Sequence, residues 1–360
     1  MSLTPQSGIM NIALYEGGKS SIAGRSDVLK LSSNENPLGP PPSAKAAILL
    51  AVSEVYRYPS TDHAELRDAI GKAYGLEPEQ IICGVGSDEV LQFVCQAFAG
   101  EGDEIIHTEH GFSMYPILAH MAGATPVNVA ETERVVSVDN ILAAVTDATR
   151  IVMLANPANP TGTMLPEGEL ERLARNLPES VILVIDGAYT EYAEGYSGGA
   201  ELARTMPNVL MTRTFSKVYG LGGLRIGWGY GARGMIDVMT RIRQPFNLST
   251  IQLAAAKAAV EDQDWVPACT ALNAAQRARL TGALRQLGVA CDESFANFVL
   301  ARFSDEAEAS AVDLALQGEG ILVRRVTGYG FPEGLRMTVG DEEQTGRLIA
   351  ALTKWREGQA

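Results

Sequence analysis

A chain of 360 residues with 46% apolar and 20% charged side chains has the balance of an ordinary folded protein and the length for two domains. Its formal net charge of −14 repels polyanions and argues against general nucleic-acid binding, so any anionic ligand has to be met by a local cluster of Arg, Lys and backbone N–H groups. No run reaches the roughly 20 apolar residues of a membrane span, and no basic segment followed by an apolar core opens the chain. The four cysteines, Cys83, Cys95, Cys269 and Cys291, show neither a C-x-x-C pair nor a zinc spacing. Free thiols in a reducing compartment are expected, hence a cytoplasmic protein with no metal, membrane or nucleic-acid partner.

Residues 1–30 are rich in Gly and Ser and lack periodicity, which reads as an extended arm. The Pro-rich segment 37–42 stops any regular element and leads into a helix from about Ser43. Between about 65 and 260, helical stretches alternate with short apolar runs at 80–83, 103–108, 125–129, 150–155, 181–185, 209–214 and 224–230. Seven such runs separated by helices predict a large α/β domain over 56–265, with a mostly parallel sheet buried between helices. A helical stretch at 232–265 and a long helix near 266–287 follow, then strands at 297–303, 321–324 and 335–339. This change of texture predicts a smaller α+β domain made of 31–55 and 266–360.

The residues that carry chemistry cluster where the runs end. In Thr214-Phe215-Ser216-Lys217, a lysine lies just beyond a strand, flanked by hydroxyls, with Arg225 eight residues on in a Gly-rich stretch. A desolvated lysine can lose its proton and attack a carbonyl, and Thr214, Ser216 and Arg225 together suit a phosphate. A surface lysine beside a glycine turn is the bland alternative. The run 181–185 ends in Asp186, with Tyr189 three residues further. A carboxylate at that end of a parallel strand can pair with a protonated ring nitrogen, or it can simply cap the next helix.

Asn156-Pro157-Ala158-Asn159-Pro160-Thr161-Gly162 follows another run and forces a turning backbone that can present an amide to a ligand oxygen. Gly84-Val85-Gly86-Ser87-Asp88 joins a run to a helix start, an arrangement that binds anions or needs only a cap. Val90 stands where a dinucleotide fingerprint has its third glycine, which argues against a nucleotide-dependent oxidoreductase. Tyr115, after the run ending near Thr108, can stack on a planar ring or fill the core.

In this order the motifs resemble the fold-type I aminotransferases that use pyridoxal 5'-phosphate (PLP), whose signature joins N-P-x-N-P-T-G, a strand-ending Asp with a Tyr three later, and S-K…R. Leu31-Ser32-Ser33-Asn34-Glu35-Asn36-Pro37-Leu38-Gly39-Pro40, Arg57-Tyr58-Pro59 and Gly328-Tyr329-Gly330 leading to Leu335–Gly340 are similar to the histidinol-phosphate aminotransferases. The resemblance covers nearly the whole chain. It implies a large domain on a seven-stranded sheet plus a smaller domain, with Lys217 as covalent anchor of the cofactor and catalytic base. Asp186 would face the pyridine nitrogen, Asn159 and Tyr189 the ring's phenolate oxygen, and Tyr115 the ring face. Ser87, Asp88, Thr214, Ser216 and Arg225 would surround the cofactor phosphate, with Asp88 using its backbone N–H. Tyr58 would reach the cofactor phosphate of a second subunit, implying a homodimer. Arg336, helped by Arg324, Tyr15 and Asn36, would hold the substrate's anionic end.

Two departures stand out: Ala158 where the family often has a second Asn, and Arg325 where it often has Pro, so that a doublet with Arg324 leaves open which side chain faces substrate. The resemblance implies transfer of an amino group from L-histidinol phosphate to 2-oxoglutarate, giving imidazole acetol phosphate and L-glutamate in histidine biosynthesis. An aromatic amino acid aminotransferase and a PLP-dependent threonine-phosphate decarboxylase use similar motifs. A PLP-fold regulator would need a DNA-binding segment for which no basic patch is present.

Overall fold

The computed structural model describes residues 3–14 and 17–358; Tyr15, expected near the substrate, lies outside the described residues. Its strands are β1 (Leu29–Lys30), β2 (Ile81–Gly84), β3 (Glu104–Thr108), β4 (Thr125–Val129), β5 (Thr149–Ala155) and β6 (Ile182–Asp186). They continue with β7 (Val209–Thr214), β8 (Gly227–Gly231), β9 (Phe298–Arg302), β10 (Ile321–Leu322), β11 (Arg324–Val326) and β12 (Phe331–Thr338). A seven-stranded sheet has the order β2-β8-β7-β6-β5-β3-β4. All its pairings are parallel except those of β8, which runs against both neighbours.

The central strands are continuous apolar runs because both faces are covered. Ile82, Ile151, Met153, Val184 and Leu210 pack on one side, and Ile106, Val152, Leu154, Leu183 and Met211 on the other. Since β8 is antiparallel to both β2 and β7, the ends of β2, β5, β6 and β7 point to one edge of the sheet. That edge is where open α/β sheets bind ligands.

The Gly-Trp-Gly-Tyr-Gly sequence of β8 has a packing reason. Trp228 and Tyr230 are buried on one face, while the glycines admit close neighbours on the other. A Cβ on Gly229 would lie 2.7 Å from Val90 Cγ1, and one on Gly227 2.1 Å from the backbone N of Ser87. The helix Gly86–Phe98 is thus seated directly on β8.

Beside this body, β9, β11 and β12 form an antiparallel sheet, and β1 pairs in parallel with β10. They enclose a second core with Leu280, Leu284, Leu316, Leu335 and Leu348. The segment 31–55 divides between the two bodies. Leu31 joins the smaller core, but the helix Pro42–Ala51, expected there, packs instead along the helix Thr250–Glu261 of the larger one. Ala44 is fully buried in that larger core, and Ser43 Oγ donates to Asp262 at 2.8 Å. The helical stretch expected over 232–265 is two helices, Arg233–Ile242 and Thr250–Glu261, the second opened by a Ser249 capping box with Gln252. Strand β8 begins at Gly227, later than expected, because Arg225 takes a left-handed φ of 53° after a short helical turn.

Gly227→Ala tests the close approach of β8 to the Ser87 turn. Its Cβ would meet backbone, so a stability loss of about 1–3 kcal/mol is expected in urea unfolding. Gly234→Ala, in open space on a helix, should cost nothing or stabilise slightly.

Candidate active site

At the shared strand edge lies a cavity of about 330 Å³. It brings together Ser87, Asp88, Asn159, Asp186, Tyr189, Thr214, Ser216, Lys217, Arg225, Arg324 and Arg336. One end is built for an anion. The helix Gly86–Phe98 starts there with Gly86 at φ 78°, leaving its first N–H groups without helical partners. Arg225 donates from Nη1 to Ser216 Oγ at 3.1 Å and from Nη2 to Asp88 Oδ2 at 2.8 Å. Thr214 Oγ1 accepts from the Ser216 N–H at 3.1 Å and donates to the Ile226 carbonyl. This Arg225–Asp88 pair is some two-fifths exposed, so it is a weak link that a stronger anion can replace.

Asp186 closes β6 on the cavity floor. Its Oδ2 accepts from Tyr115 Oη at 3.0 Å, and its Oδ1 from Thr212 Oγ1 and the Ala188 N–H, both at 3.2 Å. Thr212 is there because β6 and β7 pair Asp186 with Thr212 in register. Burial pushes the carboxyl up to about 6, against the three hydrogen bonds that favour its charged form.

Lys217 Nζ reaches the Ser33 carbonyl at 3.5 Å and lies 5.6 Å from the centre of the Tyr189 ring. Burial lowers its amine to about 8, with Arg336 and Arg225 repelling the ammonium and Asp88 opposing them. On the far wall, Arg336 Nη1 donates to Asn159 Oδ1 at 2.6 Å, Nη2 to the Ser32 carbonyl at 3.1 Å, and the guanidinium sits 5.3 Å over Phe298. The Arg doublet is resolved by strand alternation. Arg324 lines the cavity, while Arg325 turns outward to Glu306 at 3.0 Å and to Ser310.

Two expected placements differ. Tyr115 does not face the cavity; it is fully buried, and Phe112, edge-on to it at 5.8 Å, lines the cavity in its stead. The helix starting at Met114 rotates Tyr115 into the core, with only its hydroxyl reaching Asp186. Asn36 is also turned away, donating to the Val218 carbonyl at 2.7 Å and to Cys269 Sγ. Asn34 takes the place by the cavity, its left-handed φ of 55° aiming Nδ2 at Tyr189 Oη, 2.9 Å away. Tyr58 is 83% exposed, stacked on Phe246, and not part of this chain's cavity wall.

The family model described as aminotransferase class I and II matches residues 26–352. The chain belongs to the class I and II aminotransferases. It is 64% identical over 357 residues to the histidinol-phosphate aminotransferase of Ruegeria pomeroyi, covering 99% of each chain. To the histidinol-phosphate aminotransferase of Jannaschia sp. it is 59% identical over 351 residues, 98% of each. Among solved structures, the histidinol-phosphate aminotransferase of Sinorhizobium meliloti in complex with pyridoxal-5'-phosphate superposes with a TM-score of 0.91 at 28% identity, over 100% of this chain and 99% of that one.

In an aminotransferase the amine that attacks an aldehyde has to be neutral. The ammonium of Lys217 is destabilised by burial, so the neutral form gains ground at a lower pH than for a solvated lysine. In the cofactor-free chain, labelling of Lys217 by a small acylating reagent should therefore rise with pH and level off above about 8 rather than about 10.5. Peptide mass spectrometry reads the rate, and a rise continuing past pH 10 would contradict this environment.

Proposed function

We propose that this aminotransferase moves the amino group of L-histidinol phosphate to 2-oxoglutarate, giving imidazole acetol phosphate and L-glutamate, with PLP as its cofactor. The observation that carries the reading is the convergence of three groups on one cavity: the Lys217 amine, the Asp186 carboxylate and the Arg225 anion site. PLP has three matching handles, an aldehyde, a basic ring nitrogen and a phosphate. When bound, it supplies an electron-accepting ring that makes the substrate Cα–H bond acidic.

The side chains divide the remaining work. Ser87, Thr214, Ser216, Arg225 and the N–H of Asp88 hold the phosphate, and Phe112 supports the ring face. Asp186 keeps the ring nitrogen protonated. Asn159 has its carbonyl engaged by Arg336, which leaves its amide N–H groups to donate to the ring oxygen. Tyr189 accepts from Asn34, so its own proton points elsewhere and serves the same oxygen. Lys217 Nζ would take the proton that leaves the substrate Cα and deliver it to the former aldehyde carbon of the cofactor, and would carry a proton the opposite way in the second half-reaction. Arg336 and Arg324 receive the anionic end of each substrate in turn, so both half-reactions use one site and ping-pong kinetics follow.

Lys217→Ala should reduce turnover by several orders of magnitude, and kcat/KM for histidinol phosphate should exceed that for phenylalanine in the unmodified enzyme. Equal or greater efficiency with phenylalanine would move the assignment to aromatic amino acids. Release of CO₂ without any need for 2-oxoglutarate would move it to a decarboxylase.

A homodimer completes the proposal. Tyr58 lies with the exposed apolar side chains Leu49, Leu50, Val52, Val55 and Tyr56, a surface that a second copy would cover. Tyr58 would then serve the phosphate site of the other subunit. Mixing the Lys217→Ala and Tyr58→Ala chains, each weakly active alone, should restore activity, because one site of the mixed dimer regains both residues. No recovery after confirmed subunit exchange would remove Tyr58 from the partner's site. The four cysteines are free, in keeping with a cytoplasmic setting.

A further inference from the structure

Beneath the cavity floor lies a group that the reaction above does not use. Tyr115 is fully buried in the same core cluster as Leu118 and Ala119, edge-on to Phe112, yet its phenol oxygen lies 3.0 Å from Asp186 Oδ2. A buried tyrosine hydroxyl needs a partner, and the one this hydroxyl reaches is the Asp186 carboxylate. Burial raises the phenol well above its usual range, so it stays protonated at every working pH. It is therefore a permanent donor, and an ionised carboxylate can only accept.

We propose that Tyr115 is a positioning residue for the reaction, one that acts through Asp186. With Thr212 and the Ala188 N–H on Oδ1 and Tyr115 on Oδ2, both carboxylate oxygens are held and the group is kept anionic and oriented. The remaining lone pairs of that anion are what a protonated ring nitrogen meets. Removing the phenol hydroxyl leaves the apolar packing intact but lets burial drive Asp186 toward its neutral form, which cannot hold the ring proton. Hydrogen bonds to charged groups are strong enough to shift a carboxyl by about one to two pH units.

This inference rests on the PLP reading, and the test separates the two. Apoprotein is titrated with PLP and with its 1-deaza analogue, in which CH replaces the ring nitrogen, following protein fluorescence. Tyr115→Phe should weaken PLP binding about tenfold and leave the analogue within about twofold. Thr212→Val, which strips a donor from Oδ1, should give a loss of the same kind, and the thermal midpoints of both variants are measured alongside. Equal losses for the two compounds in both variants, or no loss in either, would overturn the role. Failure of the unmodified apoprotein to bind PLP would overturn the cofactor reading instead.

Discussion

Two buried ionisable side chains share one cavity, and desolvation by the surrounding protein pushes them toward neutrality from opposite directions. The Asp186 carboxyl rises to about 6 and the Lys217 amine falls to about 8. A folded-state value above the unfolded one means that Asp186 costs stability increasingly as pH climbs from its ordinary 3.8 to about 6. A depressed value means that Lys217 costs stability while charged, a cost relieved as pH rises from about 8 toward 10.5. Between about 6 and about 8 both are charged, so the fold bears both costs at working pH. A ligand that pairs with both groups removes them and stabilises the chain.

The rest of the larger body keeps those groups in place. Parallel strands covered on both faces end at one edge, where hydrogen-bonded register sets Asp186 of β6 beside Thr212 of β7, two residues before the strand ends at Thr214. The glycines of β8 let the helix Gly86–Phe98 come close enough for its N-terminus to face Arg225, where a Cβ on Gly86 would stand 2.6 Å from Nη2. Anion binding is therefore produced by backbone proximity as much as by charge.

The smaller body supplies the other wall. Arg324 and Arg336 pair across β11 and β12, which puts them on one face of that sheet. Asn34 ties this wall to the floor: its N–H donates to Thr338 Oγ1 at 2.9 Å, its carbonyl accepts from Asn297, and its amide holds Tyr189. A shift of the smaller body is thereby felt at the Tyr189 hydroxyl.

Strands and their chemistry were legible where the cause is local. Continuous apolar runs mark covered strands, and hydroxyl, glycine and charged residues at their ends mark the ligand edge, so Lys217, Asp186, Asn159 and Arg225 stood out as candidates, while their roles came from the resemblance carried by the motifs in order. Choices between residues of similar chemistry were not legible. Phe112 or Tyr115 depends on the phase of a helix that begins at Met114; Asn34 or Asn36 on one left-handed residue; Arg324 or Arg325 on which of two adjacent residues stands opposite Arg336. Each is settled by rotation about the chain. That rotation is set by distant strands and helices packing together, and a linear pattern carries no record of it.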